Sequence, residues 1–259
     1  MKLDSFSAPP RPRRVGRING RGLWTLYRKE VKRFLNVYLQ TLAAPMVTAL
    51  LFFMIFNLAL GRAVETAGGV PYAQFLAPGL IMMTLVQNAF ANTSSSILIA
   101  KVQGNIVDVL MPPLSAAELT AGFALGGVTR GLLVGLAVLV GLLPFVPVQI
   151  HDPLAILYFG FMAALMLSLL GMIGGIWAEK FDHVAAVQNF IVTPLSFLSG
   201  TFYSIERLPP DWHLAAFLNP FFYMIDGLRY GFIGHADGDV ATGALVVLVA
   251  DLALLAWAH

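Results

Sequence analysis

The sequence predicts an all-α integral membrane protein with six transmembrane helices. Three observations carry that expectation. Of 259 residues, 58% are hydrophobic and only 12% charged, well outside the composition of soluble domains. The apolar residues gather into runs of roughly 20, the length a helix needs to cross about 30 Å of hydrocarbon. Ten of the sixteen basic residues precede the first run: Lys2, Arg11, Arg13, Arg14, Arg17, Arg21, Arg28, Lys29, Lys32 and Arg33.

The elements follow in chain order. Residues 1–16, with Pro9, Pro10, Pro12 and Arg13, read as a disordered lead-in. A secretory signal has an apolar core of only about 7 to 15 residues, so the long basic head and longer run predict a retained first span. Residues 17–38 predict an amphipathic interface helix. Leu23, Trp24, Tyr27, Val31, Phe34, Leu35 and Tyr38 repeat at helical spacing, and Arg21, Thr25, Arg28, Lys29, Lys32 and Asn36 take the other face. Its cations near anionic headgroups contribute on the order of 1 kcal/mol each. A nucleic-acid arm is the weaker reading, because an aromatic-rich face has no use in solution.

Residues 39–259 form the membrane domain. Its spans are expected near 41–60, 72–93, 120–143, 154–176, 184–202 and 241–258. With the head inside, twelve basic residues fall on the cytoplasmic side against three outside (Arg62, Arg207, Arg229), which places both termini in the cytoplasm. In the third span Gly122 and Gly126, then Gly127, Gly131 and Gly135, recur at the interval that lets helix backbones approach. Pro45, Pro78 and Pro194 predict local kinks.

Arg130 falls about 15 Å deep by helical rise. Asp251 is its expected counter-ion, with Gln87 and Asn88 as polar neighbours. Two readings stand: a structural or snorkelling charge, or part of a substrate path or subunit groove. Between the last two spans, Pro209-Pro210 and Asn219-Pro220 cut an aromatic segment, 201–234, into pieces too short to cross. Two short helices, 211–218 and 220–232, are expected there as a re-entrant or interface-lying hairpin, or as an aromatic belt without a moving part.

Chemistry is sparse. None of the five lysines follows a glycine, so the chain lacks a phosphate-cradling loop and is not expected to hydrolyse ATP. It has no cysteine, its five histidines are scattered, and no serine has a glycine two positions before it. No catalytic residue and no metal ligand is therefore expected. Val86-Gln87-Asn88 recurs as Val187-Gln188-Asn189, but at non-equivalent places in the spans, which leaves an inverted-repeat transporter unsupported. A short helix over 103–110 should join spans two and three. Lys101, Asn105 and Asp108 form its polar stripe, Ile106, Val107, Leu110 and Met111 its apolar face, and Pro112 ends it. It suits a lever that a partner pushes, or an ordinary loop helix.

Five stretches in order, FLAPGLIMMTLVQNAF (75–90), GNIVDVLMPPLSAAEL (104–119), TRGLLVG (129–135), LSGTFYSIERLPPDW (198–212) and LNPFFYMIDGLRYGFIG (218–234), resemble the permease subunits of ABC-2 type transporters. They are similar to the bacterial branch containing drug and lipo-oligosaccharide exporters, and the resemblance covers the chain from about residue 23. It implies a type V exporter-like fold in the bacterial inner membrane, contacting lipid and a second copy of itself but no nucleic acid. It also implies separate ATPase subunits, so that ATP and Mg sit on the partner and this chain binds no cofactor. By the same resemblance Gln103, Asn105, Ile106, Val107, Asp108 and Leu110 belong to the ATPase-coupling helix. Trp24, Arg28, Lys29, Lys32 and Arg33 belong to the interface helix beside it. Trp212, Asn219, Pro220, Arg229 and Tyr230 belong to outer gate helices. A basic tail is expected after the last span, and Ala258-His259 stand in its place, so either the chain is truncated or that span is shorter than drawn. The rival readings are a non-transporting scaffold or assembly protein, and a secondary transporter; substrate and direction are set by no motif.

Overall fold

Asn19 opens the first helix because its side chain accepts the Gly22 N–H at 3.0 Å, satisfying one of the free donors of the first turn. The computed structural model describes residues 18–61, 64, 66–67, 69–205 and 209–258. The expected lead-in over 1–16, together with Arg17, Arg62, Arg207 and His259, lies outside the described residues. Helix α1 is Gly20–Leu35, α2 Ala44–Leu60, α3 Tyr72–Val102, α4 Ile106–Leu110, α5 Ala116–Leu142 and α6 Pro153–Trp177. These are followed by α7 Phe181–Val187, α8 Thr193–Leu198, α9 Pro210–Phe217, α10 Pro220–Ile233 and α11 Val240–Ala258. Two two-residue strands, β1 Thr66–Ala67 and β2 Val70–Pro71, pair antiparallel before α3.

Five helical segments among the described residues are long and apolar enough to cross a bilayer: Leu39–Leu60, Tyr72–Val102, Ala116–Leu142, Pro153–Trp177 and Val240–Ala258. In place of the remaining expected span, 184–202, an unbroken helical run of α7, a π-turn and α8 covers 181–198 and stops short of residues 199–202; Asp182, His183, Gln188 and Asn189 dilute its apolar character. α3 runs on past residue 93 to Val102.

The expected kinks take a more specific form. Ahead of Pro45 and ahead of Pro194, the helix widens to a π-turn, Leu39–Ala43 and Gln188–Val192. The residue before each proline bonds five back, Ala44 N–H to Leu39 O and Thr193 N–H to Gln188 O. A proline has no N–H to give and its ring crowds the carbonyl four residues back, so the wider turn carries the ladder past it. Pro78, by contrast, is absorbed inside α3, which continues through it.

The glycines of α5 sort by neighbour. A Cβ at Gly122 would meet Leu26, and one at Gly126 would meet Glu30, so equal steps of four on the two helices bring α1 alongside the first turns of α5. Gly127, Gly131 and Gly135 turn to α3 and α6 instead, against Thr93, Ser168, Ala89 and Leu85. From α6, Gly175 lies against the backbone of Ser94, where a Cβ would stand 2.9 Å from the carbonyl oxygen. Hydroxyls complete the contact: Thr93 Oγ1 donates to Ser168 O (2.7 Å) and Ser168 Oγ to Ala124 O (2.9 Å). Small residues and interhelical hydroxyl bonds hold α3, α5 and α6 where the hydrophobic drive between helices is absent. α3 is the most enclosed of the five spans, while α2 and α11 are largely exposed on the periphery.

The face of α1 differs from the expected one. Leu26, Glu30 and Phe34 are buried, while Trp24, Leu35 and Tyr38 point outward. The aromatic face is therefore divided: Trp24 and Tyr38 face the surroundings of the bundle, Tyr27 reaches Thr129 at 3.0 Å, and Phe34 is buried in one stripe with Leu26 and Glu30.

A leucine at Gly131 would press on Ala89 Cβ and the Leu85 carbonyl, each 3.0 Å from its Cβ. We expect Gly131→Leu to cost about 1–3 kcal/mol, read as a lowered thermal midpoint in nanodiscs. Gly20→Ala, with nothing within 4 Å of the new Cβ, should leave the midpoint within measurement error.

Candidate functional site

Three groups of residues stand out, one at each end of the bundle and one between. At the end where α1 begins, α3 stops because Gly104 adopts a left-handed backbone, φ 74°, so the expected helix over 103–110 shrinks to Ile106–Leu110. The predicted stripe of Lys101, Asn105 and Asp108 is broken there. Lys101 stays on α3 and its ammonium donates to Ile176 O and Ala178 O, both at 2.6 Å, a cation on the negative end of α6. Gln103 and Asn105 are exposed in the turn, joined by Asn105 Nδ2 to Gln103 Oε1 at 3.4 Å. Asp108 is exposed as well.

The apolar residues around α4 divide between the bundle and the surface. Val109 is buried under the bundle, while Val107, Leu110 and Met111 are exposed at 55%, 61% and 76%. Pro112 and Pro113 then lead to Ser115, which caps α5 by accepting Glu118 N–H as Glu118 reaches back to Ser115 N at 2.7 Å. The other Glu118 oxygen accepts a short bond from Asn19 N, and Asn19 Nδ2 donates to Pro113 O at 3.2 Å. One carboxylate thus starts α5 and anchors α1 beside the α4 loop. Between α1 and α4 lies a hollow of about 320 Å³ with Arg21, Lys29 and Asp108 at its rim.

Of the predicted interface residues, Trp24, Arg28, Lys29 and Lys32 are exposed. Arg33 is not: it is turned inward to Glu30 Oε2 (3.1 Å), Asn92 O (2.8 Å) and Asn92 Oδ1 (2.9 Å). Glu30 is fully buried and accepts Ser96 Oγ at 2.8 Å, so an ion pair inside polar partners ties α1 to α3.

In the middle of the bundle the expected Arg130–Asp251 pair does not form. Arg130 Nη2 donates to Asn88 Oδ1 at 3.0 Å. Asp251 is 1% exposed, and neither carboxylate oxygen has a hydrogen-bond partner among the described residues. The reason is placement: α11 packs on α6 and α10, whereas Arg130 reaches from α5 to α3. Gln87 and Asn88 line a cleft of about 420 Å³ between α2, α3 and the start of α8, whose walls also carry Gln40, Thr48 and Thr84. A second hollow, sharing Phe52 and Phe197 with it, continues away from the α1 end between Phe56, Phe202 and Tyr203. The cleft is bordered by Gln40 of the first π-turn and by Ala44 and Thr193, the residues that directly follow the two π-turns.

At the opposite end, Arg229 is 1% exposed and so is no loop cation, contrary to its place in the charge count. It donates to Gly200 O at 2.5 Å, lies 3.8 Å from Asp226 and stacks 3.8 Å above the Phe75 ring. Asn219 caps α10 at Phe221 N (3.1 Å) and donates to Ser199 Oγ (2.7 Å); Pro220 follows at the helix start. Tyr230 meets His151 edge-on at 5.3 Å, and Trp212 is exposed. Asp226 accepts the N–H groups of Asp237 and Gly238 at 2.8 and 2.9 Å, and Asp237 accepts Ser204 Oγ and Ile205 N at 2.9 and 2.8 Å. Asp239, capping α11, is held below the usual carboxylate range by the Thr242 hydroxyl and N–H.

Sequence reasoning missed Asn19, Glu30, Glu118, Asp226 and Asp237. Ser115 and Glu118 carried a local signal, the S-x-x-E capping box, and Asn19 that of a helix N-cap; the contacts of Glu30 with Ser96 and of Asp237 with Ser204 and Ile205 span long separations.

With this geometry in view, comparison with known proteins is informative. Residues 21–233 match the family model of the ABC-2 type transporter. The chain is 41% identical over 237 residues to the inner membrane transport permease YadH of Escherichia coli strain K12, covering 91% of this chain and 93% of that protein. It is 25% identical over 253 residues to nodulation protein J of Rhizobium leguminosarum bv. trifolii (96% and 94%), and 25% over 218 residues to nodulation protein J of Neorhizobium galegae (82% and 80%).

Glu118→Ala should free the Asn19 and Ser115 amides together. We expect faster hydrogen exchange across both 19–23 and 115–119. Ser115→Ala should cost about 1 kcal/mol at α5 alone and leave 19–23 protected.

Proposed function

The chain belongs to the ABC-2 type transporter family and is the permease subunit of an ATP-binding cassette transporter; from that premise we propose how force from the ATP-binding subunit reaches the substrate path. The observation that carries the proposal is α4. Its apolar side chains Val107, Leu110 and Met111 face outward, yet the segment is tied at both ends: through Lys101 to the end of α6, and through Ser115, Glu118 and Asn19 to α5 and α1. A greasy tip on a braced support is a surface for a partner to grip. A push on it is delivered to α1, α3, α5 and α6 together. ATP can drive such a movement only if the partner contacts α4 differently in its two states.

In this proposal the cleft between α2, α3 and α8 lies on the path, and two copies of the permease meet across it with both termini in the cytoplasm of a bacterial inner membrane. Gln40, Thr48, Thr84, Gln87 and Asn88 would be costly against lipid, so a second copy and a polar passage are the better cover. The π-turns flanking the cleft are its hinges, since a wide turn bends more readily than a regular one. The network of Asp226, Asp237, Ser204 and Arg229 closes the far end, and export is the direction that this closure serves. ATP and magnesium act on the partner.

Two measurements test this. Val107→Asp with Asp108→Arg should reduce transport at least about tenfold, the scale of a lost apolar anchor at an interface, while the ATPase subunits still turn over ATP; unchanged transport overturns the role of α4. The chain has no cysteine, so Asn105→Cys gives a single label. It should react with an impermeant maleimide in inverted vesicles and not in intact cells.

A further inference from the structure

The charge balance around the cleft points to the kind of molecule it takes. Arg130 is a cation bonded to its wall from behind: it donates to Asn88, and Asn88 lines the cleft. Nothing on the described residues neutralises it. Its hydrogen-bonded neighbour is a neutral amide, and its buried Nε has no hydrogen-bond partner among the described residues. Glu30, the acid nearest in the network, is already committed to Arg33 and Ser96, and Asp251 is engaged with neither. Among the described residues no acidic side chain lines the cleft. A positive charge without an acid, held in a low-dielectric span, sets up a field that favours an anion beside it.

Asn88 carries that field to the cleft wall. Its Oδ1 faces Arg130 and one amide N–H goes to Thr84 O at 2.9 Å, which leaves the second N–H as a donor. Gln87, on the same wall, adds another amide. Farther from the α1 end the chemistry changes: Phe52, Phe56, Phe197 and Phe202 pack against one another, with centroids 4.2 to 6.4 Å apart, along a hollow that shares Phe52 and Phe197 with the cleft. Polar donors in a positive field at one end and aromatic rings at the other describe an amphiphile.

We propose that the cleft takes an amphiphile with an anionic head, phosphate, sulfate or carboxylate, the head resting on Asn88 and Gln87 in the field of Arg130 and the apolar tail lying along Phe52, Phe56, Phe197 and Phe202. This rests on the cleft being the transport path. Arg130 is a positioning residue, acting through Asn88 and through its charge; head-group selectivity is therefore the property it controls.

The test uses the permease with its ATPase subunits in nanodiscs of neutral lipid. Monoacyl amphiphiles of equal chain length with phosphate, phosphocholine and trimethylammonium heads, and inorganic phosphate alone, are compared for binding by native mass spectrometry and for stimulation of ATP turnover. The phosphate amphiphile should half-saturate at a concentration about tenfold lower than the other two, the scale of a charge-assisted contact, and inorganic phosphate should have no effect. Arg130→Gln should erase the preference and Arg130→Lys retain part of it. Should Arg130→Gln fail to fold, Gln87→Glu, which puts a negative charge on the cleft wall without touching Arg130, should reduce the preference by itself. Equal binding of all heads, or a preference that survives both Arg130→Gln and Gln87→Glu, overturns the proposal, and inorganic phosphate acting alone overturns its tail. Head-independent stimulation of ATP turnover refutes the anionic head and leaves the transport path standing. Phosphate-selective binding with no effect on turnover keeps the site and refutes the path.

Discussion

Lipid tails are as apolar as leucine, so the helices of this chain gain nothing by hiding side chains from one another, and α3, α5 and α6 are held instead by backbones close enough to touch. Gly127, Gly131 and Gly135 from α5 and Gly175 from α6 clear the space. Thr93 and Ser168 fill it with hydroxyl-to-carbonyl bonds. Because these contacts leave no slack, displacement at one end of any of the three helices is carried along its length rather than absorbed locally.

The same solvent makes every polar side chain at depth informative. Most are closed off at once: Thr84, Ser94 and Ser196 donate to carbonyls of their own helices, and Glu30 with Arg33 is sealed among Ser96 and Asn92. Two places differ. Asp251 is enclosed without a hydrogen-bond partner among the described residues, and the wall of Gln40, Thr48, Gln87 and Asn88 is open on one side. An enclosed group leads to nothing outside itself; an open polar wall at the depth of hydrocarbon needs something to cover it. That contrast separates the cleft from the remaining intramembrane polar residues.

The two ends of the bundle are built alike. At one, Glu118 serves Ser115 and Asn19; at the other, Asp226 and Asp237 serve the backbone of neighbouring loops. In each case a carboxylate accepts N–H groups that helix ends and loops would otherwise leave bare. Between the two braces, α2 and the α7–α8 run carry the π-turns and border the open cleft. Rigid ends with pliant segments between them are what the proposed coupling requires.

The sequence by itself determined the class of protein, most of the helices, the separation of the aromatic segment into α9 and α10, and the family. Each of those is written in local quantities: the length of an apolar run, the spacing of glycines, a proline pair, an ordered set of short motifs. Tertiary structure decided what those residues meet. It turned Val107, Leu110 and Met111 outward and Arg33 inward, buried Arg229, and gave Arg130 to Asn88 instead of Asp251. The reason is that spacing along a helix sets which side chains share a face, whereas the neighbour that a face receives depends on how the helices assemble. Arg130 and Asp251 are each a charge at plausible depth on the chain. Only the packing of α11 on α6 and α10, away from α3, holds them apart.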